Sequence, residues 1–189
     1  MARVLVPLAE GSEELEAVTV IDLLRRAGIE VVSAGLETGA ITASRGVVLI
    51  PDATLEEIFD QDFDMVVLPG GGPGAEHLGA DGRLIALLQR MAAKGRITAA
   101  ICAAPKVLAK AGILEGKQAT SYPGALASIG GGGATLCDDP VVVDGTVITS
   151  RGPGTALDFA LQLIQTLVGN STRHQVEAGQ QRPTSRNLP

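Results

Sequence analysis

Short apolar runs that recur along the chain, separated by segments of helical period, constrain this sequence more than any other feature. Residues 4–8, 29–34, 65–68 and 97–101 are almost unbroken runs of Val, Ile, Leu and Ala. A strand with one wet face alternates apolar and polar residues, so unbroken runs of this length predict strands buried on both faces. Between them, residues 13–26, 84–93 and 103–111 carry the pattern of helices, and Ala27-Gly28 closes the first of these. Strand–helix alternation of this kind predicts an α/β fold, a mostly parallel sheet sandwiched between two helical layers. Smaller signals complete the outline. Residues 41–43 and 47–50 flank Ser44-Arg45-Gly46 as a hairpin or an edge, and residues 55–59 make a short helix. Residues 141–143 and 147–150, joined by Asp144-Gly145, read as a second hairpin. Pro153 opens a last helix that stops at Gly169-Asn170. One domain over residues 1–170 follows, with a polar tail over 171–189 to which no chemistry is assigned.

Several function classes are disfavoured. The 15 basic residues are scattered against 21 acidic ones, a net charge of -6, so a nucleic-acid partner, which leaves a basic footprint, is not expected. Aromatic residues make up 2% of the chain, too few for base-stacking platforms. No apolar run approaches the roughly 18 residues of a membrane span. The apolar start, residues 1–9, is too short for a signal peptide. With only Cys102 and Cys137, the expectation is a cytoplasmic protein with reduced thiols. Two isolated histidines, His77 and His174, and no CxxC leave no zinc site, and no metal or organic cofactor is expected.

Ligands of open α/β sheets bind outside the carboxyl ends of the strands, here the loops after Leu8, Leu68 and Ile101. The third loop reads Ala99-Ala100-Ile101-Cys102-Ala103-Ala104-Pro105. A nucleophile elbow needs small residues two before and two after the nucleophile, and Ala100 and Ala104 stand there. Cys102 therefore reads as a nucleophile whose thiol is lowered by the following helix N-terminus, against the alternative of a buried structural cysteine. Glu16 falls on the apolar stripe of the first helix with Ala17, Val20, Ile21 and Leu24. A carboxyl placed there is desolvated, its pKa is raised, and it can exchange a proton near neutral pH. Glu13 and Glu14 are equally well read as complements to the helix N-terminus. In the turn Pro69-Gly70-Gly71-Gly72-Pro73-Gly74, the Gly71 N–H could join that of Ala103 as an oxyanion hole. The partial match Gly70-x-Gly72-x-x-Ala75 to a dinucleotide fingerprint is broken by Pro73 and carries no cofactor assignment. His77 reads as a surface helix residue. Tyr122 could place a hydroxyl at the rim of the site or could simply pack.

Five stretches in order carry a family resemblance. They are Gly11-Ser12-Glu13-Glu14-Leu15-Glu16-Ala17, Asp22-Leu23-Leu24-Arg25-Arg26-Ala27-Gly28, Val66-Val67-Leu68-Pro69-Gly70-Gly71, Ala99 through Pro105, and Thr149-Ser150-Arg151-Gly152-Pro153-Gly154-Thr155. The chain resembles the ThiJ/PfpI superfamily, in the branch of the parkinsonism-associated protein deglycase and its bacterial homologues, related to class I glutamine amidotransferases. The resemblance implies a flavodoxin-like sandwich and a homodimer. It implies that Cys102 is a nucleophile readily oxidised to a sulfinate, with a protonated Glu16 as hydrogen-bond partner and the Gly71 and Ala103 backbone around the sulfur. The implied function is cofactor-independent conversion of α-oxoaldehydes, methylglyoxal to lactate, or removal of early glyoxal adducts from proteins. The alternative is an oxidative-stress sensor or chaperone working through Cys102. Two departures matter. Ala103 stands where the protease-like branch has His, so peptidase activity is not expected. Tyr122 stands where many members of the deglycase branch have His, so a proton relay through that His, perhaps with Asp22, is lost or altered.

Overall fold

The computed structural model describes residues 1–182. In chain order its elements are β1 (Arg3–Leu8), α1 (Glu14–Arg26), β2 (Glu30–Gly35), β3 (Ile41–Thr42), β4 (Val48–Leu49), β5 (Ala53–Thr54), α2 (Leu55–Ile58), β6 (Met65–Leu68), α3 (Gly72–Ala80), α4 (Gly82–Ala93), β7 (Ile97–Ile101), α5 (Pro105–Lys110), β8 (Gln118–Ala119), β9 (Thr135–Leu136), β10 (Val141–Asp144), β11 (Val147–Ser150), α6 (Ala156–Val168) and α7 (Asn170–Gly179). Seven strands form the main sheet in the order β10-β11-β7-β6-β1-β2-β5. Every pairing in it is parallel except β10 with β11, whose antiparallel register runs from Val141↔Ser150 to Asp144↔Val147. The unbroken apolar runs occupy its centre, where β6 and β11 are buried throughout. That is the pattern of strands covered on both faces.

Helix α1 packs against α6 and α6 against α7 in one layer, while α3, α4 and α5 pack together in the other. The expected flavodoxin-like α/β/α sandwich is therefore present. The stripe on α1 buries Ala17, Val20, Leu23 and Leu24 together with Glu16. Asp81 starts α4 by accepting the N–H groups of Arg83 and Leu84, which satisfies donors that a helix leaves unpaired at its N-terminus. The β3–β4 hairpin pairs Ile41 with Leu49 and Thr42 with Val48.

Two local readings differ from the structure. Helix α5 begins at Pro105 rather than at residue 103, because residues 102–104 are spent on a tight turn. Residues 170–179 of the polar tail are helical, with Val176 buried. Arg182 reaches Asp158 on α6 at 2.6 Å and so ties the end of this segment to the helix before it. The remainder of the tail, residues 183–189, lies outside the described residues. No helix of the described residues is long and apolar enough to cross a membrane.

Candidate active site

Three of the loops that leave carboxyl ends of strands are laced into one another. Ser12, fully buried, turns the chain after β1 by accepting the Ala9 N–H at 3.0 Å. The Glu13 N–H then donates to Gly70 O at 3.0 Å, and the Gly74 N–H donates to Gly11 O at 3.2 Å. The loops pass too close for side chains. Gly71 holds a φ of 86°, and a Cβ there would run into Gly11 O. Only glycine takes this left-handed conformation without cost.

The same close approach brings the start of α1 under the turn after β7. Glu13 caps α1 by accepting the Glu16 N–H at 2.7 Å. Glu14 accepts from the Ser44 hydroxyl and the Arg45 N–H, both at 2.8 Å, and so holds the β3–β4 hairpin against α1. Both carboxylates are therefore occupied structurally. Glu16, one turn on, is fully buried and accepts the Gly70 N–H through Oε2 at 2.8 Å. Its second oxygen, Oε1, has no hydrogen-bond partner. The carboxyl lies close to Cys102: a Cβ placed on Gly70 would be 2.7 Å from Glu16 Oε2 and 2.6 Å from Cys102 Cβ.

Cys102 sits at a φ of 64°, a left-handed conformation that a side chain adopts only under constraint. The constraint is visible. Its N–H donates to Ser150 O at 2.9 Å, and its carbonyl accepts the Tyr122 N–H at 2.8 Å. Ala104 then closes the turn back onto Ile101 O at 3.0 Å. The backbone N–H groups of Gly71 and Ala103 act on the thiol, each favouring its ionised form. Cys102, Glu16, Gly71 and Ala103 thus lie together where the start of α1 meets the ends of β6 and β7. Tyr122 contributes its backbone here. Its ring is 54% exposed and lies over Gly152 at the end of β11. Asp22 is engaged elsewhere, paired with Arg26 at 2.7 Å. His77 lies on α3 with Nδ1 2.9 Å from Glu10 O. Among the described residues no group of three or more His, Cys, Asp or Glu is placed to hold a metal ion.

Burial raises the Glu16 carboxyl from its ordinary 4.5 to about 7, against the lowering effect of the Gly70 N–H and Cys102. The thiol departs from expectation. Burial, and then repulsion from an ionised Glu16, push Cys102 up to about 12, against the lowering effect of the two N–H groups. The expected lowering by the helix N-terminus is small because α5 starts three residues later and is only six residues long. The two groups titrate as one unit. Near neutral pH the pair gives up one proton. If the charge stays on the carboxylate, Oε1 has only a weak S–H donor. If it moves to sulfur, the thiolate receives Gly71, Ala103 and the Glu16 O–H, and every buried polar atom of the pair is satisfied. The second form is the one suited to nucleophilic attack.

The retained proton links the site to stability. A carboxyl raised on folding stabilises the protein below its unfolded pKa and loses that contribution as pH rises through the folded value. Stability is expected to fall between about pH 4.5 and 7 by about 3 kcal/mol, and Glu16→Gln should flatten that slope. Urea denaturation across this range checks it; equal slopes in both proteins would mean that Glu16 ionises normally in the fold.

Comparison with known proteins places this geometry. Protein dj-1beta of Drosophila melanogaster is 45% identical over 176 residues, 93% of this chain and 94% of its own. A protein of Caenorhabditis elegans named glutathione-independent glyoxalase DJR-1.2 is 36% identical over 168 residues, 89% of each chain. The crystal structure of Drosophila DJ-1beta superposes with a TM-score of 0.92 at 43% identity, covering 97% of this chain and 99% of that one. Oxidised DJ-1 of Toxoplasma gondii gives 0.92 at 38% identity, covering 97% and 100%. The model of the DJ-1/PfpI family matches residues 2–166, which take in the three interlaced loops, the elbow and the sheet that carries them, and the chain belongs to that family.

Proposed function

We propose that the protein is a cofactor-independent cysteine enzyme that converts small α-oxoaldehydes to 2-hydroxy acids, methylglyoxal to lactate. The observation that carries this is the buried Cys102–Glu16 pair at the ends of β6 and β7, with the Gly71 and Ala103 N–H groups acting on the thiol. The Cys102 thiolate attacks the aldehyde carbon and forms a hemithioacetal. The Gly71 and Ala103 N–H groups stabilise the oxygen as it becomes negative. Glu16 gives its proton to that oxygen and, now ionised, takes the proton from the former aldehyde carbon, which gives an enediol; it then returns a proton to the neighbouring carbon. That shift oxidises the first carbon to a thioester and reduces the second to an alcohol, so no external oxidant or reductant is required. Water then cleaves the thioester, releasing the 2-hydroxy acid and restoring the thiol. Cys102 is 9% exposed, which favours a free small aldehyde over an adduct on a folded protein surface.

The relative named a glutathione-independent glyoxalase supports the same reading. The test is lactate formation from methylglyoxal by purified protein without glutathione. Turnover is expected in the wild type and its loss in Cys102→Ala, whose smaller side chain leaves the backbone turn in place. Undiminished turnover in that variant would remove the thiol from the reaction. A sensor working through oxidation of Cys102 would draw on the same thiolate, and turnover of methylglyoxal by the fully reduced protein separates the two readings.

The partner we propose is a second copy of the chain. Leu15 and Val18 on α1 and Val47, Val48 and Ile50 in and beside the hairpin are all exposed, Ile50 by 83%. Glu14 holds these two segments side by side, and a contiguous apolar face of this kind marks an interface. Val48→Asp should shift sedimentation from dimer to monomer; an unchanged profile would place the interface elsewhere.

A further inference from the structure

Among the chain's lysines, Lys94 pairs with Asp62 at 2.8 Å and Lys117 with Asp144 at 3.3 Å. The other two, Lys106 and Lys110, have no carboxylate within ion-pair distance among the described residues. Both belong to α5, four residues apart, so they share one face of that helix. Both line the same cleft, about 510 Å³ in volume, between α3, α5 and the glycine-rich turn at residues 130–133. Its uncovered apolar lining is Ile129, 47% exposed, and the half-buried Ala109, while Val107 is buried. Glu76 on α3 stands on the opposite wall, which leaves the cleft one positive charge in excess within a chain whose net charge is -6. Neither Cys102 nor Glu16 lines it.

An uncovered apolar floor attracts a hydrocarbon body, and two unpaired ammonium groups at its edge attract an anion. Water satisfies the lysines alone, and a neutral apolar molecule would satisfy the floor alone. One ligand class meets both demands. We propose that this cleft is a second small-molecule site that takes an amphipathic monocarboxylate, its chain on Ala109 and Ile129 and its carboxylate between Lys106 and Lys110. The geometry also sets the orientation, since Glu76 repels the acid group and turns it toward α5. The site is separate from the thiol, so its occupation does not require the reaction proposed above.

The test uses the full chain and two probes, octanoate and the uncharged octanol, followed by chemical-shift perturbation of backbone amides. Octanoate is expected to bind saturably, with shifts centred on Lys106–Lys110 and Ile129, more weakly at high salt. It should bind Lys106→Gln/Lys110→Gln about tenfold more weakly, the sum expected for two exposed ion pairs. Cys102→Ala should bind it as the wild type does. Octanol binding as tightly as octanoate would overturn the charge-based recognition. So would equal octanoate affinity in the double variant. Shifts confined to the surroundings of Cys102 would show that the ligand enters the reaction site instead, and no shifts at all would dismiss the cleft as a ligand site.

Discussion

Glu16→Gln is expected to lower methylglyoxal turnover by about 10²–10⁴-fold, the usual contribution of a positioned acid–base group, while the fold survives. Glutamine has the volume and shape of glutamic acid, and its amide oxygen can accept the Gly70 N–H that Oε2 accepts at 2.8 Å. Its NH₂ group can donate to the Cys102 sulfur. What it lacks is a proton to exchange. The same substitution removes the carboxylate charge that helps hold the thiol near 12. Cys102 should therefore alkylate faster at neutral pH in the variant, with its pH midpoint moved down, even as turnover collapses. An idle Glu16 changes neither property, and an unchanged urea midpoint excludes unfolding, which would also free the thiol. Iodoacetamide alkylation against pH, run beside the lactate assay, reads both. Turnover within a factor of two of the wild type would remove Glu16 from proton transfer.

The sandwich was legible because its central strands are buried on both faces, and such strands leave unbroken apolar runs that no turn or exposed helix produces. The pairing of Cys102 with Glu16 was legible for a related reason. A carboxyl on the apolar stripe of α1 and a cysteine between small residues at the end of β7 are each out of place unless they meet. What the sequence did not convey was the consequence of that meeting. A helix N-terminus alone lowers a thiol, but α5 begins late, and burial beside an ionisable carboxyl acts in the opposite direction. The helix at residues 170–179 was missed because its one buried residue, Val176, makes no periodic apolar face; contact with α6 supplies what propensity does not. Ser150 stands within the motif Thr149–Thr155, yet it holds the elbow through its backbone carbonyl, which no side-chain pattern reveals. Gly70 lies where two turns face one another and leave no room for a side chain, and nothing in the run of glycines sets it apart from Gly71.

Gly70 carries the second large effect. A Cβ built on Gly70 would lie 2.6 Å from Cys102 Cβ, 2.7 Å from Glu16 Oε2 and 3.0 Å from Ile101 O. A single methyl group would therefore stand between the nucleophile and its proton partner. None of the three neighbours can yield cheaply. Cys102 is fixed at both its N–H and its carbonyl, Glu16 is fully buried, and Ile101 belongs to β7. Gly70→Ala is expected to destabilise the protein by about 1–3 kcal/mol, the cost of overpacking a filled core. It should also cut methylglyoxal turnover by about 10²-fold, as expected when reacting groups are displaced by about an ångström. Gly72→Ala two residues on is the control. A Cβ there meets nothing within 4 Å, and the residue opens α3, so its stability and rate should match the wild type. Urea midpoints and lactate rates for the two variants decide the matter. If Gly70→Ala were as active as Gly72→Ala, the contact between Cys102 and Glu16 could be broken without consequence, and the shared proton would have no part in the reaction.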